Sequence, residues 1–251
     1  MRPRVRIGCV YIDALRFNEA IDAIAALVDR GEGGMVFTPN VDHVVLAEHD
    51  AGFRAAYRVA DLSLADGVPV VWASWLLKTP LPEKVSGSDL IEPLMARAVE
   101  RGWRVYFLGA ADGVAARAKE ILERDHPGLQ IVGTSSPSID LATDISAHEN
   151  VLAAVRAARP HLLFLALGAP KQELWAHRIR EIVRPSVILG IGASLDFIAG
   201  VTKRSPRWVS TAGFEWLYRL ANEPRRLWKR YLLRDPKFLA IVLRDLRSPH
   251  R

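Results

Sequence analysis

Among the acids of this 251-residue chain, Asp66 is the one best placed to move a proton. It follows the short apolar stretch Leu62-Ser-Leu64 and precedes Gly67, whose missing side chain lets another group approach closely. A carboxylate placed there would take a proton from a hydroxyl nucleophile, with burial raising its pKa toward working pH. The competing reading is an Asp-Gly turn in which the side chain bonds its own backbone, and spacing alone favours that turn. Thr38-Pro-Asn40 is similarly double: polar groups facing a substrate at a strand end, or an Asn capping the next helix. Lys84, ahead of Val85-Ser-Gly-Ser-Asp89, either meets a phosphate beside a helix N-terminus or stands solvated.

A second constellation runs from His161 to Glu173. His161 to Leu167 is almost wholly apolar, too short for a buried helix and right for a strand covered on both faces. Gly168 ends it, Ala169-Pro170 turns the chain, and Lys171-Gln172-Glu173 opens a helix. A strand, a tight turn and a helix N-terminus carrying Lys and Gln make an anion cradle, or an ordinary strand-to-helix connection.

Other chemistries lack their signatures. No Gly-x-Gly-x-x-Gly follows a strand, and there is no Walker phosphate loop. Asp-x-Asp does not occur and the seven histidines have no ligand-like spacing, so a metal-free reaction is expected. The single cysteine, Cys9, leaves no internal disulfide framework and fits a reducing compartment. Met1 to Arg6 is not a secretory leader, and no apolar run reaches the roughly 18 residues of a membrane span. The expected location is the cytoplasm.

These residues need a scaffold, and the hydrophobic periodicity supplies one. Val5–Tyr11 reads as a first strand, Asn18 starts an amphipathic helix ended by Gly31, and Met35–Thr38 is a second strand. Helices follow around Val44 and Phe53, then the brief Leu62–Leu64 strand. Val68–Leu77 is apolar nearly all round and so is expected to be a buried helix. After the Pro-rich 79–84 loop, Ser88 is the expected cap of a helix reaching Arg101. From Arg104 the rhythm is βαβ. Strands at 105–108, 129–134, 161–167 and 186–192 alternate with helices, and Asp112 is the expected cap of the first. The fold class is therefore α/β: a mostly parallel, Rossmann-like sheet with helices on both faces. In such sheets ligands collect beyond the carboxyl ends of the strands.

The last fifty residues differ. Residues 202–251 hold thirteen Lys and Arg against four Asp and Glu, whereas residues 1–201 hold twenty-one against twenty-four. Trp208, Phe214, Trp216, Trp228 and Tyr231 interleave with those cations in a pattern that is helical only. Two units are expected: an α/β core over 1–201 and a helical, basic-aromatic appendage over 202–251. The appendage fits a helix pair with arginines on its rim, a nucleic-acid binder or an element lying on an anionic membrane surface. The membrane reading accounts for aromatics and cations together. A nucleotide-sensing protein with a nucleic-acid-binding tail is the rival reading for the whole chain.

Taken together, the motifs resemble the WecG/TagA/CpsF family of bacterial glycosyltransferases, over nearly the whole chain. The resemblance rests on Thr38-Pro-Asn40, Ala65-Asp-Gly67, Val85-Ser-Gly-Ser-Asp-Leu90, Phe107-Leu-Gly109, Gly168-Ala-Pro-Lys-Gln-Glu173, Gly192-Ala-Ser-Leu-Asp-Phe197, Lys203-Arg-Ser-Pro-Arg-Trp208 and Glu215-Trp-Leu-Tyr-Arg-Leu220 followed by Glu223-Pro-Arg-Arg226. It implies an inverting, metal-independent transfer without a cofactor. A sugar (N-acetylmannosamine, its uronic acid or glucuronic acid) passes from a UDP-sugar to a polyprenyl-diphosphate-linked acceptor at the cytoplasmic membrane face.

The position matching Asp66 is then the base, which reverses the turn reading. Positions matching Thr38, Asn40 and Gln172 line the site, and that matching Asp196 lies on the nucleotide side. The Gly168 turn is a wall beside the donor, and the helix N-termini near Gly109 and Lys171 lend positive charge to the leaving diphosphate. The appendage brings arginines to the acceptor diphosphate: Arg219 and Arg226 match, with Arg225 and Arg230 nearby. Lys84 stands where the family usually has Arg, a point charge in place of a bidentate fork. Leu195 replaces a usual Phe. A homo-oligomer is compatible with the sequence, and nucleic acid is not an expected partner.

Overall fold

The computed structural model describes residues 2–211 and 213–247, with the backbone alone of Arg207, Thr211 and Arg226. The chain opens with an antiparallel hairpin, β1 (Arg4–Ile7) and β2 (Val10–Asp13), where the sequence reads as one strand. Gly8, at φ 60°, lets the chain reverse. The pair Gly8-Cys9 is not one of the strong hairpin signals, which is why the periodicity ran through it.

Six parallel strands form the main sheet: β3 (Gly34–Phe37), β4 (Leu62–Ser63), β5 (Arg104–Gly109), β6 (Gln130–Ser135), β7 (Leu162–Ala166) and β8 (Val187–Gly190). Their spatial order is β4-β3-β8-β7-β5-β6. Side chains alternate between two cores, as strand geometry requires. Val105, Phe107, Leu162 and Phe164 enter one, while Tyr106, Leu108, Leu163 and Leu165 enter the other. Each such side chain contributes about 1.5–3 kcal/mol relative to exposure, and that two-sided burial is why the central strands carry unbroken apolar runs.

The first core is covered by α1 (Phe17–Arg30), α5 (Gly87–Arg101), α6 (Val114–Asp125) and the short α9 (Ser194–Ile198). The second lies under α2 (Val41–His49), α3 (Ala51–Arg58), α4 (Val68–Leu76), α7 (Glu149–Ala158) and α8 (Lys171–Ile179). Ser86, rather than Ser88, is the N-cap of α5, and Gly113 takes the place expected for Asp112 ahead of α6. The expected burial of α4 is corrected too: Val70, Val71 and Ala73 face the core, but Trp72, Trp75 and Leu76 are exposed.

Beyond residue 202 lie α10 (Arg207–Thr211), α11 (Glu215–Asn222), α12 (Pro224–Trp228), a π-helical turn (Lys229–Arg234) and α13 (Lys237–Arg247). Phe238, Ile241 and Val242 of α13 join the second core, and Asp245 accepts the Gly8 N–H at 2.6 Å. Among the described residues no helix is long and apolar enough to cross a membrane.

Candidate active site

Asp66 is set by backbone bonds on both sides. Its N–H donates to Pro39 O at 2.9 Å, and the Val85 N–H donates to Ala65 O at 2.7 Å. The strand beneath is anchored by Asp13, which accepts the Ser63 N–H at 2.8 Å and Arg4 Nε at 2.9 Å. The carboxyl is thus carried from the end of β4 to where the β3–α2 turn and the start of α5 converge.

Two chambers meet there. The inner one, about 380 Å³, is walled by the carboxyl ends of β3, β7 and β8 and by the first turn of α5. The outer one, about 400 Å³, lies between the start of α4 and the helices after residue 206. Asn40, Asp66, Glu215, Arg219 and Arg230 line both. A ligand in each would meet the other at Asp66.

Burial raises the Asp66 pKa from 3.8 to about 6, and Glu215 adds to the rise. Lys84, a hydrogen bond from Ser86 and Arg219 pull it back. The result is a carboxylate charged near neutrality yet basic enough to accept a proton. Its neighbours are linked: Lys84 Nζ donates to Ser210 Oγ at 3.2 Å, and Ser210 Oγ donates to Glu215 at 3.1 Å. Lys84 also pairs with Asp89 at 3.3 Å.

Part of the inner wall is a buried hydrogen-bond network. Gln172 Oε1 accepts the Gly192 N–H at 3.0 Å and its Nε2 donates to Glu173 at 2.7 Å. A Cβ on Gly190 would stand 2.9 Å from that Nε2, so only glycine leaves room for the amide. Glu173 is fully buried, and burial raises its pKa to about 7 against the opposing bond from Gln172. His43 Nδ1 lies 2.7 Å from Tyr57 Oη, and burial, with Arg230 and Arg234 nearby, lowers its pKa to about 3. That imidazole is neutral in the folded protein. At the opposite wall Ser86, Gly87 and Ser88 begin the 15-residue α5, where first-turn N–H groups suit an anion.

The sequence-derived residues separate by position. Thr38, Gly168, Gln172 and Asp196 line the inner chamber, Lys84 the outer. Asn40 caps α2 and also lines both chambers: Oδ1 accepts the His43 N–H at 3.3 Å and a guanidinium N–H of Arg230 at 3.2 Å. Arg230 is also 3.2 Å from Asp42, whose carboxylate pairs with Arg234 at 2.7 Å. Arg219 lies over the Phe197 ring at 5.9 Å. Gly109 and Lys171 line neither chamber, and Gly109 instead packs on the backbone of Ala166. Arg225 is exposed and also lines neither, and the side chain of Arg226 lies outside the described residues.

Sequence reasoning missed Asp42, His43, Glu173 and Glu215. The only signals were adjacency to Asn40, to Gln172 and to the aromatic run, because their roles arise from elements that meet in space. Among the described residues no group of three or more His, Cys, Asp or Glu side chains is arranged to hold a metal ion.

A basic carboxylate between two chambers, at the carboxyl end of a parallel α/β sheet, fits an enzyme that moves a group from one bound substrate to another. A family profile described as Glycosyl transferase WecG/TagA/CpsF family matches residues 5–251. The chain belongs to the WecG/TagA/CpsF family of glycosyltransferases. Its relatives include an N-acetylglucosaminyldiphosphoundecaprenol N-acetyl-beta-D-mannosaminyltransferase from Bacillus spizizenii, 34% identical over 226 residues, 89% of this chain and 85% of that protein. A protein of the same description from Bacillus subtilis (strain 168) is 29% identical over 218 residues, covering 87% and 82%. Family membership decides for the transferase over the nucleotide-sensing reading.

Proposed function

We propose that the chain transfers N-acetylmannosamine from its UDP-sugar to a polyprenyl-diphosphate-linked N-acetylglucosamine, a step in cell-surface polysaccharide or teichoic acid assembly. The observation that carries this reading is the meeting of the two chambers at Asp66. The UDP-sugar occupies the inner chamber and the acceptor the outer. Asp66 takes the proton of the acceptor hydroxyl. The resulting oxygen bonds to the anomeric carbon as the bond to the diphosphate oxygen breaks, so configuration inverts in one displacement. UDP departs with the electron pair.

In this reading the charge on the leaving group is met by the protein itself. The first turn of α5 supplies N–H groups to the developing negative charge, and Arg219 supplies a cation at the shared wall. Arg230 and Lys84 face the acceptor diphosphate. Thr38, neutral His43 and the Gln172 amide offer the donor sugar hydrogen bonds without formal charge, as an N-acetylhexosamine requires. The lipid of the acceptor puts the reaction at the inner face of the cytoplasmic membrane, with the protein bound peripherally. The basic, aromatic helices beyond residue 202 support that placement.

The deciding experiment is a donor screen. UDP-N-acetylmannosamine, its uronic acid and UDP-glucuronic acid are offered with a short-chain lipid-diphosphate N-acetylglucosamine. The expected product is β-linked from the α-linked N-acetylmannosamine donor. Faster turnover of a uronate donor, or a retained anomeric configuration, would overturn the reading.

A further inference from the structure

The α4 helix carries an outward face that the core leaves uncovered. Trp72, Trp75 and Leu76 lie one turn apart on one side and are 48, 57 and 60% exposed. The α13 helix shows a similar stripe, Leu239, Leu243 and Leu246, at helical spacing and also exposed. The outer chamber is lined by Val68 and Pro69 from the first turn of α4 and by Leu239 from α13, so both helices border it. The gap beside α4 is closed by the α10–α11 turn: a Cβ on Gly213 would stand 3.0 Å from the Trp72 ring. Phe214, next in that turn, is exposed as well.

We propose that α4 is a membrane foot built into the catalytic core, which together with the α13 stripe seats the protein on an anionic bilayer with the outer chamber opening onto the lipid headgroups. This rests on the reading above in one respect, that the acceptor is lipid-linked. At nine residues α4 is far too short to span a bilayer, so it lies in the interfacial plane. Tryptophan and leucine flanked by cations are the composition such a plane takes up. No Asp or Glu occurs from Val68 to Pro82, while Lys78 and Lys237 are exposed at the ends of the two helices. A water-facing surface that joins aromatic and basic groups around the chamber for a lipid-linked substrate complements an anionic bilayer in both polarity and charge.

The test uses the full chain and vesicles of phosphatidylcholine with phosphatidylglycerol. Combined Trp72→Ser, Trp75→Ser and Leu76→Ser substitution is expected to weaken partition by about ten-fold. Transfer to a long-chain acceptor in those vesicles should fall in step, and transfer to a water-soluble short-chain acceptor should stay within about two-fold. Leu76→Glu alone, a milder change at an exposed site, should weaken binding to anionic vesicles and restore it on vesicles carrying a cationic lipid. Unchanged partition in both variants overturns the proposal. So does a wild-type dimer in gel filtration that the triple variant converts to monomer, since the face then joins two copies. Partition is measured without acceptor, so failure of transfer by the wild type would refute the proposed function while leaving the membrane result to stand by itself.

Discussion

The inner and outer chambers share Asp66 but are held together by different forces. The inner walls are strand ends and first turns of core helices, fixed by short hydrogen bonds such as Gln172 to Gly192 and Asp66 to Pro39. They are set once the sheet has formed. The outer walls come from helices far along the chain, which add polar and ionic ties to the apolar packing of α13: Asp42 with Arg230 and Arg234, Lys84 with Ser210, and Arg204 with Asp89. A π-helical turn carries both arginines that reach Asp42, and such turns gather at functional positions. Binding of the two substrates should therefore be separable by mutation, with Asp66 the one position where both are lost to chemistry.

Substitution at the junction has the largest effect. Asp66→Asn should lower kcat by about 10³-fold, within the usual range for a general base, while UDP binding by calorimetry changes less than about two-fold. Residual turnover near the wild-type level would remove Asp66 from the mechanism. The same variant should be more stable at pH 8. The folded carboxyl holds its proton up to about pH 6 and the unfolded one only to 3.8, so its favourable contribution is complete below 3.8 and lost as pH rises through 6. Asparagine escapes that loss. A gain on the order of 1–3 kcal/mol at pH 8, vanishing below pH 4, is the expected thermal-melting result.

The next two changes should each break one chamber. Asp42→Asn removes the buried anion from two arginines and should raise the acceptor KM by about ten-fold, with donor affinity nearly unchanged. Amide exchange across residues 229–247 should quicken, and unaltered exchange would show that Asp42 does not hold those helices. Gln172→Ala strands the Gly192 N–H and Glu173, and should weaken donor binding by about five- to ten-fold with acceptor KM intact. Loss of both affinities in either variant would mean that the chambers form a single cooperative unit.

This difference in construction also explains what the sequence disclosed. The strands β5, β7 and β8 were legible because both faces are buried, leaving apolar runs with clear ends at Gly109, Gly168 and Gly192. Residues lining the inner chamber, such as Thr38 and Gln172, sit where those runs stop, so strand-end reasoning reached them. Asp66 was not decided by its spacing, because an Asp-Gly turn and a buried base look alike until Val85 and Pro39 are seen to fix it. Asp42 and Glu215 were illegible for a stronger reason: each acts on a residue more than a hundred positions away. The helix α4 misled in the opposite sense. Its even apolarity means burial only if protein covers every side, and Trp72, Trp75 and Leu76 are left exposed.

The smallest expected effect is also the sharpest probe of the junction, because two charged neighbours of Asp66 act on it with opposite signs. Glu215 pushes the Asp66 pKa up, and Lys84 pulls it down. The acid limb of kcat/KM should have its midpoint near pH 6 in the wild type, since the base must be unprotonated in the free protein. Glu215→Gln removes a repelling charge and should move that limb to lower pH, and Lys84→Met removes an attracting one and should move it higher. Each shift should be less than about one unit, because both partners are partly solvated. Combined, the substitutions should nearly cancel, since both act through the same carboxylate. If the limb moves the same way in both single variants, or in neither, the titrating group is not Asp66. The base would then have to be sought at Glu215, the other carboxyl that lines both chambers.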